Sequence, residues 1–192
     1  MEHVNFQGKT DMLILNESLL GAGITEKELN NGIDILKKKY FSYLEARIRE
    51  NEITLLPGIR EILEALDTGN GVLLGLLTGN FSEGARIKLS KFDLARHFKF
   101  GVFCDDTHIR NEMPGIARNK LRQNFNIHVD FSDMIVIGDT VHDIACGKFS
   151  GARTLAVGTG WTEKETLLRC EPDYYLDDLH DTEEVLRIIH SG

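Results

Sequence analysis

The sequence predicts an α/β fold: a doubly wound parallel sheet in three layers, preceded by a helical segment. Three observations carry this. From residue 55 onward, apolar runs of strand length alternate with helical stretches. The runs lack polar–apolar alternation, as expected of strands covered on both faces. Polar clusters follow the runs directly, at the carboxyl ends where open parallel sheets bind ligands.

The helical leader comes first. Leu29, Ile33, Leu36, Tyr40, Leu44 and Ile48 recur at three- and four-residue steps and define one face of a helix. Thr25 followed by Glu28 reads as a capping box. Lys37, Lys38 and Lys39 suit a solvated face better than a phosphate patch. Pro57 and Gly58 then break the pattern. Ile59, Ile62, Leu63 and Leu66 share a helix face.

"GVLLGLL" (71–77) has strand length, and "SEGARIKLSKF" (82–92) is helical with Ser82 as its expected cap. "FKFGVF" (98–103) is a strand, and Pro114 opens a helix to about Phe125. "DMIVIG" (133–138), "VHDIACGKFS" and "RTLAVG" (153–158) read strand, helix, strand. A short extended piece and a helix close the chain. No internal repeat or low-complexity tract interrupts this order.

Bulk properties narrow the function. A chain of 192 residues can bury one full core. A net charge of −8 argues against nucleic acid or an anionic membrane as partner but leaves small anionic substrates open. There is no apolar run of membrane-spanning length, and "MEHVNFQGKTD" has neither region of a signal peptide. Cys104, Cys146 and Cys170 show no CxxC spacing, so reduced thiols and a cytoplasmic location are expected. Zinc at Cys104, Asp105, Asp106 and His108 is disfavoured for want of paired spacing.

Three clusters carry chemistry. In "LLTGN", the Thr78 hydroxyl and the N–H groups of Gly79 and Asn80 suit a phosphate oxygen, although the same residues make an ordinary turn. In "GDTVHD", Asp139 leaves a strand end and Asp143 lies one helical turn on. That pair suits Mg²⁺, which takes one or two carboxylates with waters and substrate. The alternative, an electrostatic preference for a helix N-terminus, fits Asp143 better than Asp139. His142 reads as an exposed helix residue. Arg110, in the loop before the Pro114 helix, supplies a fixed positive charge, whereas Arg118 and Lys120 read as solvated. Trp161 could touch substrate or sit in a surface turn.

The order of "LLTGN", Arg110 before a proline-led helix, and "VIGDTVHDIACGKFSGARTLAVGTG" resembles the haloacid dehalogenase superfamily. It is most similar to the phosphoglycolate-phosphatase-like branch, over about residues 55–180. The resemblance implies a Mg²⁺-dependent phosphatase of a small phosphorylated metabolite. Thr78 would hold the transferring phosphoryl group, Arg110 would replace the usual lysine, Asp139 would bind Mg²⁺ and Asp143 would support it. A helical cap is implied over residues 1–55, incomplete here, with a core over 56–192. The metal-type acids speak against the superfamily's dehalogenase chemistry.

The family mechanism uses an Asp-x-Asp motif on its first core strand, and no two aspartates here have that spacing. The expectation is therefore a core without its first strand, and little activity from this chain, or a non-catalytic Mg²⁺- and phosphate-binding protein. The vacant slot would lie between the strands ending at Leu77 and Gly138. A longer natural chain, a neighbouring molecule or the segment "HVNFQ" would fill it, and a neighbour would mean self-association.

Overall fold

The computed structural model describes residues 8–67 and 71–191. Two helices come first, α1 (Asp11–Gly21) and α2 (Glu26–Glu50). The expected capping box starts α2: the Thr25 hydroxyl accepts from the Glu28 N–H, and the Glu28 carboxylate accepts from the Thr25 N–H at 3.0 Å. All six residues of the expected α2 face are buried or half-buried. Lys38 and Lys39 are solvated as expected, but Lys37 is not. It lies 4.1 Å from the Phe81 ring centroid and pairs with Asp105 at 3.2 Å.

The remainder alternates. It runs α3 (Ile59–Asp67), β1 (Gly75–Leu77), α4 (Ser82–Ser90), β2 (Phe100–Val102), α5 (Met113–Phe125), β3 (Ile135–Gly138) and α6 (Val141–Ser150). It ends with β4 (Arg153–Val157), α7 (Lys164–Arg169), β5 (Tyr174–Leu176) and α8 (Thr182–His190). Every strand pair is parallel. The strands are shorter than the apolar runs that announced them, because Val72 and Leu74 pack on helices without joining a ladder as strand residues. Helix α7 follows Trp161 closely, in a stretch whose sequence announces no helix.

The strands form two ladders, β1–β2 and β3–β4–β5. Among the described residues no ladder joins β1 to β3. Even so, both ladders lie between the same helical layers. On one side, Val72, Leu74 and Ile135 pack on a cluster from α3, β4 and α8 that includes Ile62, Leu66, Leu155 and Val185. On the other, Leu77 packs on Val102 and Met113 and also on Val136 and Cys146. The seam lies between β1 and β3, and the expected absence of a first core strand is not confirmed. The segment "HVNFQ" lies outside the described residues.

Ser82 is not the cap of α4. Phe81 holds that position and has no capping side chain. The free N–H groups are met from a distance: Phe81 N–H donates to the Asp11 carboxylate at 2.8 Å and Ser82 N–H to Asp105 at 2.6 Å. Sequence patterns detect local caps only, so these two contacts left no signal. Arg118 and Lys120 are likewise engaged. Arg118 stacks 4.0 Å from the Phe131 ring centroid, and Lys120 binds Asp106 and the Gly101 carbonyl, each at 2.8 Å.

Gly58 precedes α3 with φ +79°, and a Cβ there would lie 1.8 Å from the Leu179 carbonyl oxygen. Gly58→Ala therefore meets both backbone strain and a backbone clash. It is expected to cost more than about 1 kcal/mol, measured as a lower urea midpoint. An unchanged midpoint would contradict the close approach of α3 to residues 179–180.

Candidate active site

The carboxyl ends of β1 and β3 open on one cleft of about 290 Å³, lined by Thr78, Gly79, Asn80, Arg110, Asp139 and Asp143. All six residues singled out from the sequence thus meet in one place. Leu77 and Ile137 also line it, and Ile137 is 40% exposed although it lies in a strand. Gly138 and Thr140, beside Asp139 at the same strand end, line it too, as do Gly8, Lys9 and Asp11, which sequence reasoning missed. Lys9 and Asp11 had no strand end or motif to mark them, being read as part of a helical leader.

Thr78 continues the β1 ladder, its N–H donating to the Val102 carbonyl at 3.0 Å. Its hydroxyl oxygen accepts from the Asn80 N–H at 3.2 Å and from Asn80 Nδ2 at 2.7 Å. The turn and the phosphate-binding readings are therefore compatible: the turn leaves the hydroxyl proton available to donate. Asn80 is held in turn by Lys88, which donates to its Oδ1. Gly79 eases the packing, since a Cβ would lie 3.0 Å from both the Lys9 carbonyl oxygen and the Thr10 Cα and these would have to shift.

The Arg110 guanidinium donates to the Asp143 carboxylate. The pair is largely enclosed, with 15% and 12% of the side chains exposed. Arg110 Nε is buried without a hydrogen-bond partner among the described residues. The other Asp143 oxygen accepts from the Thr140 N–H at 3.1 Å and the Thr140 hydroxyl at 2.7 Å, forming the capping box of α6. The helix-terminus role is thus realised at Asp143. Gly138 permits it, because a Cβ there would lie 2.4 Å from Asp143 Oδ2.

Asp139 has a different environment. Burial pushes its carboxyl above the usual range, and the neighbouring charge of Asp143 adds to the shift. Among the described residues no other side chain donates to it. Gly160 packs so closely that a Cβ would lie 2.2 Å from Asp139 Oδ2. Trp161, the next residue, is 90% exposed, and His142 is exposed as expected.

The described residues contain no group of three His, Cys, Asp or Glu arranged for a metal ion. The Asp139–Asp143 pair nevertheless fits Mg²⁺ in donor chemistry. It offers two hard oxygen donors, one of them, Asp139, desolvated and repelled by its neighbour more than Arg110 offsets. Asp139 would be the open ligand for such an ion, because both oxygens of Asp143 are engaged. The three cysteines are free thiols. No described helix is long and apolar enough to cross a membrane.

Asp139→Asn is expected to raise the melting temperature at about pH 7 in metal-free buffer. A carboxyl with a raised folded-state pKa loses stability as pH rises through that value, and the deficit persists above it. Below the unfolded value of about 3.9 both states are protonated and the advantage of the variant vanishes. Melting curves across this range check the sign; equal stability at neutral pH would show that the Asp139 charge is not desolvated.

Comparison with known proteins places this geometry in a family. The profile of the haloacid dehalogenase-like hydrolases matches residues 13–157. Phosphoglycolate phosphatase of Salmonella typhi is 26% identical over 159 residues, 83% of this chain and 61% of that protein. Pyrophosphatase PpaX of Bacillus velezensis is 30% identical over 131 residues, 67% of this chain and 58% of that protein. The matches thus span less than two thirds of these relatives. A hydrolase from Pseudomonas syringae shares the fold, with a TM-score of 0.69 at 22% identity over 95% of this chain and 80% of that one. CbbY from Rhodobacter sphaeroides, solved with phosphate, gives a TM-score of 0.63 at 20% identity over 78% of this chain and 65% of that one. With the profile covering most of its length, and its strand-end residues gathered in one cleft, the chain belongs to the haloacid dehalogenase-like hydrolases.

Proposed function

We propose that the cleft is a Mg²⁺-dependent phosphomonoester site for a small phosphorylated metabolite. The observation that carries this is the meeting of Thr78, Gly79, Asn80, Arg110, Asp139 and Asp143 in one cleft of about 290 Å³. That volume is at the low end for small-molecule sites, about 300–1,000 Å³. The relatives named as phosphatases support the reading, as does CbbY solved with phosphate.

In this reading the Thr78 hydroxyl and the Gly79 and Asn80 loop hold the phosphoryl oxygens. Arg110 adds fixed positive charge from the turn that leads into α5, and Asp143 orients its guanidinium. Mg²⁺ bound at Asp139, with Asp143 behind it, would neutralise phosphoryl charge. Residues 1–55 act as a helical cap and 56–192 as the core. A cytoplasmic location and free thiols go together.

No pair of aspartates in the sequence has the Asp-x-Asp spacing of the family nucleophile. Loss of a covalent nucleophile lowers rates by about 10⁵–10⁶ in other enzymes. Binding without turnover is therefore the expected behaviour of this chain, and a purely binding role is the second reading.

Calorimetry with inorganic phosphate and Mg²⁺ tests the site. Saturable binding that requires Mg²⁺ is expected, with Thr78→Val weakening it about tenfold through loss of a charge-assisted hydrogen bond. Asp139→Asn should abolish the Mg²⁺ requirement. Phosphate binding indifferent to both substitutions would overturn the assignment, and rapid hydrolysis of p-nitrophenyl phosphate would remove the binding-only reading.

A further inference from the structure

We propose that Asp11 is a positioning residue. It fixes the Thr78–Gly79–Asn80 loop for phosphate and couples the helical leader to phosphate binding. The proposal rests on the phosphate site described above and adds a residue from outside the strand-end clusters.

Asp11 grips the loop from two sides. Its N–H donates to the Gly79 carbonyl at 2.7 Å, and its carboxylate accepts from the Phe81 N–H at 2.8 Å. The contacts thus bracket Asn80 across about 70 residues of sequence. The surrounding fit is tight. Thr10 is fully buried, and a Cβ at Gly79 would lie 3.0 Å from both the Thr10 Cα and the Lys9 carbonyl oxygen, so a side chain there needs the leader to shift. One residue further on, the Met12 N–H donates to Cys104 Sγ at 3.3 Å, tying the leader to the segment after β2. Cys104 N–H in turn donates to the Asn80 carbonyl at 2.9 Å. The loop is therefore held by the leader on one side and by residue 104 on the other.

The Asp11 carboxylate reaches into the packing of α2 on α4. Its Oδ2 would lie 3.8 Å from a Cβ at Gly84, beside Phe41 and Leu44 of α2. The Tyr40 hydroxyl is pushed up to about 12 by burial and by the charge of Asp11. Asp11 also lines the cleft. One side chain therefore touches the leader helices, the start of α4 and the edge of the phosphate loop. Whatever steadies the loop steadies the docking of α1, and the reverse holds by linkage.

A purely structural role, capping α4, has a built-in control. Asp105 caps the same helix at the next N–H, through Ser82 at 2.6 Å, and does not line the cleft. The experiment measures inorganic phosphate binding with Mg²⁺ by calorimetry for the wild type, Asp11→Ala, Asp11→Asn and Asp105→Asn. It also follows amide exchange at residues 11 and 12 by NMR with and without phosphate.

Asp11→Ala should bind phosphate about tenfold more weakly, as for loss of a charge-assisted hydrogen bond. Asp11→Asn keeps an acceptor oxygen and should bind within about threefold of wild type, as should Asp105→Asn. Phosphate should slow exchange at both amides. Wild-type affinity in Asp11→Ala, an equal loss in Asp105→Asn, or exchange unmoved by phosphate would each overturn the proposal. The exchange measurement needs only the wild type and decides the matter even if Asp11→Ala does not fold. If the wild type binds no phosphate, the phosphate site itself fails. If it binds and Thr78→Val does not, the site stands and the Asp11 variants and the amide exchange decide.

Discussion

The carboxylate of Asp143 joins the parts of the cleft. With one oxygen it completes the capping box that starts α6; with the other it holds the Arg110 guanidinium. Its charge raises the proton affinity of Asp139. Two glycines make room around this pair of acids, Gly138 against Asp143 and Gly160 against Asp139. A buried ion pair adds little net stability, since desolvation offsets the attraction, but removing one partner strands a charge at a cost of about 3–5 kcal/mol. The pair is better understood as fixing geometry: Arg110 cannot leave the cleft without exposing Asp143.

The strand-end clusters were legible because a parallel sheet concentrates them. Once Leu77 and Gly138 are recognised as strand ends, Thr78 and Asp139 must emerge on the same edge. The helix of residues 141–150 was equally clear, since Thr140 and Asp143 are neighbours in sequence and their capping is local. What escaped detection was long-range. Ser82 looked like a cap, yet the N–H groups at the start of α4 are met by Asp11 and Asp105, far off in the chain. Lys37, Arg118 and Lys120 looked solvated because their partners lie on other elements. Lys9 and Asp11 enter the cleft through the docking of α1, which no periodicity announces.

The helical leader is held to the core differently from the core helices. The described residues of α1 include no fully buried side chain, and α2 buries only Leu29. Its attachment instead uses discrete polar contacts: Asp11 to Gly79 and Phe81, Met12 to Cys104, and Lys91 Nζ to the Ile48 and Asn51 carbonyls at 2.9 and 2.6 Å. One aromatic contact joins them, Phe41 edge-on to Phe81 with centroids 6.0 Å apart. Attachment by a few directional bonds specifies one orientation, where a broad apolar face would tolerate several.

The division of the strands into two ladders has a consequence for how the molecule opens. Cooperativity in a sheet travels along backbone ladders, and among the described residues it crosses from β1 to β3 through side chains such as Leu77 against Val136. Among the described residues the β1–β2 half and the β3–β4–β5 half thus meet through packing rather than through a shared ladder. The cleft sits astride their boundary, so any ligand that bridges Thr78 and Asp139 would also act as a staple between them.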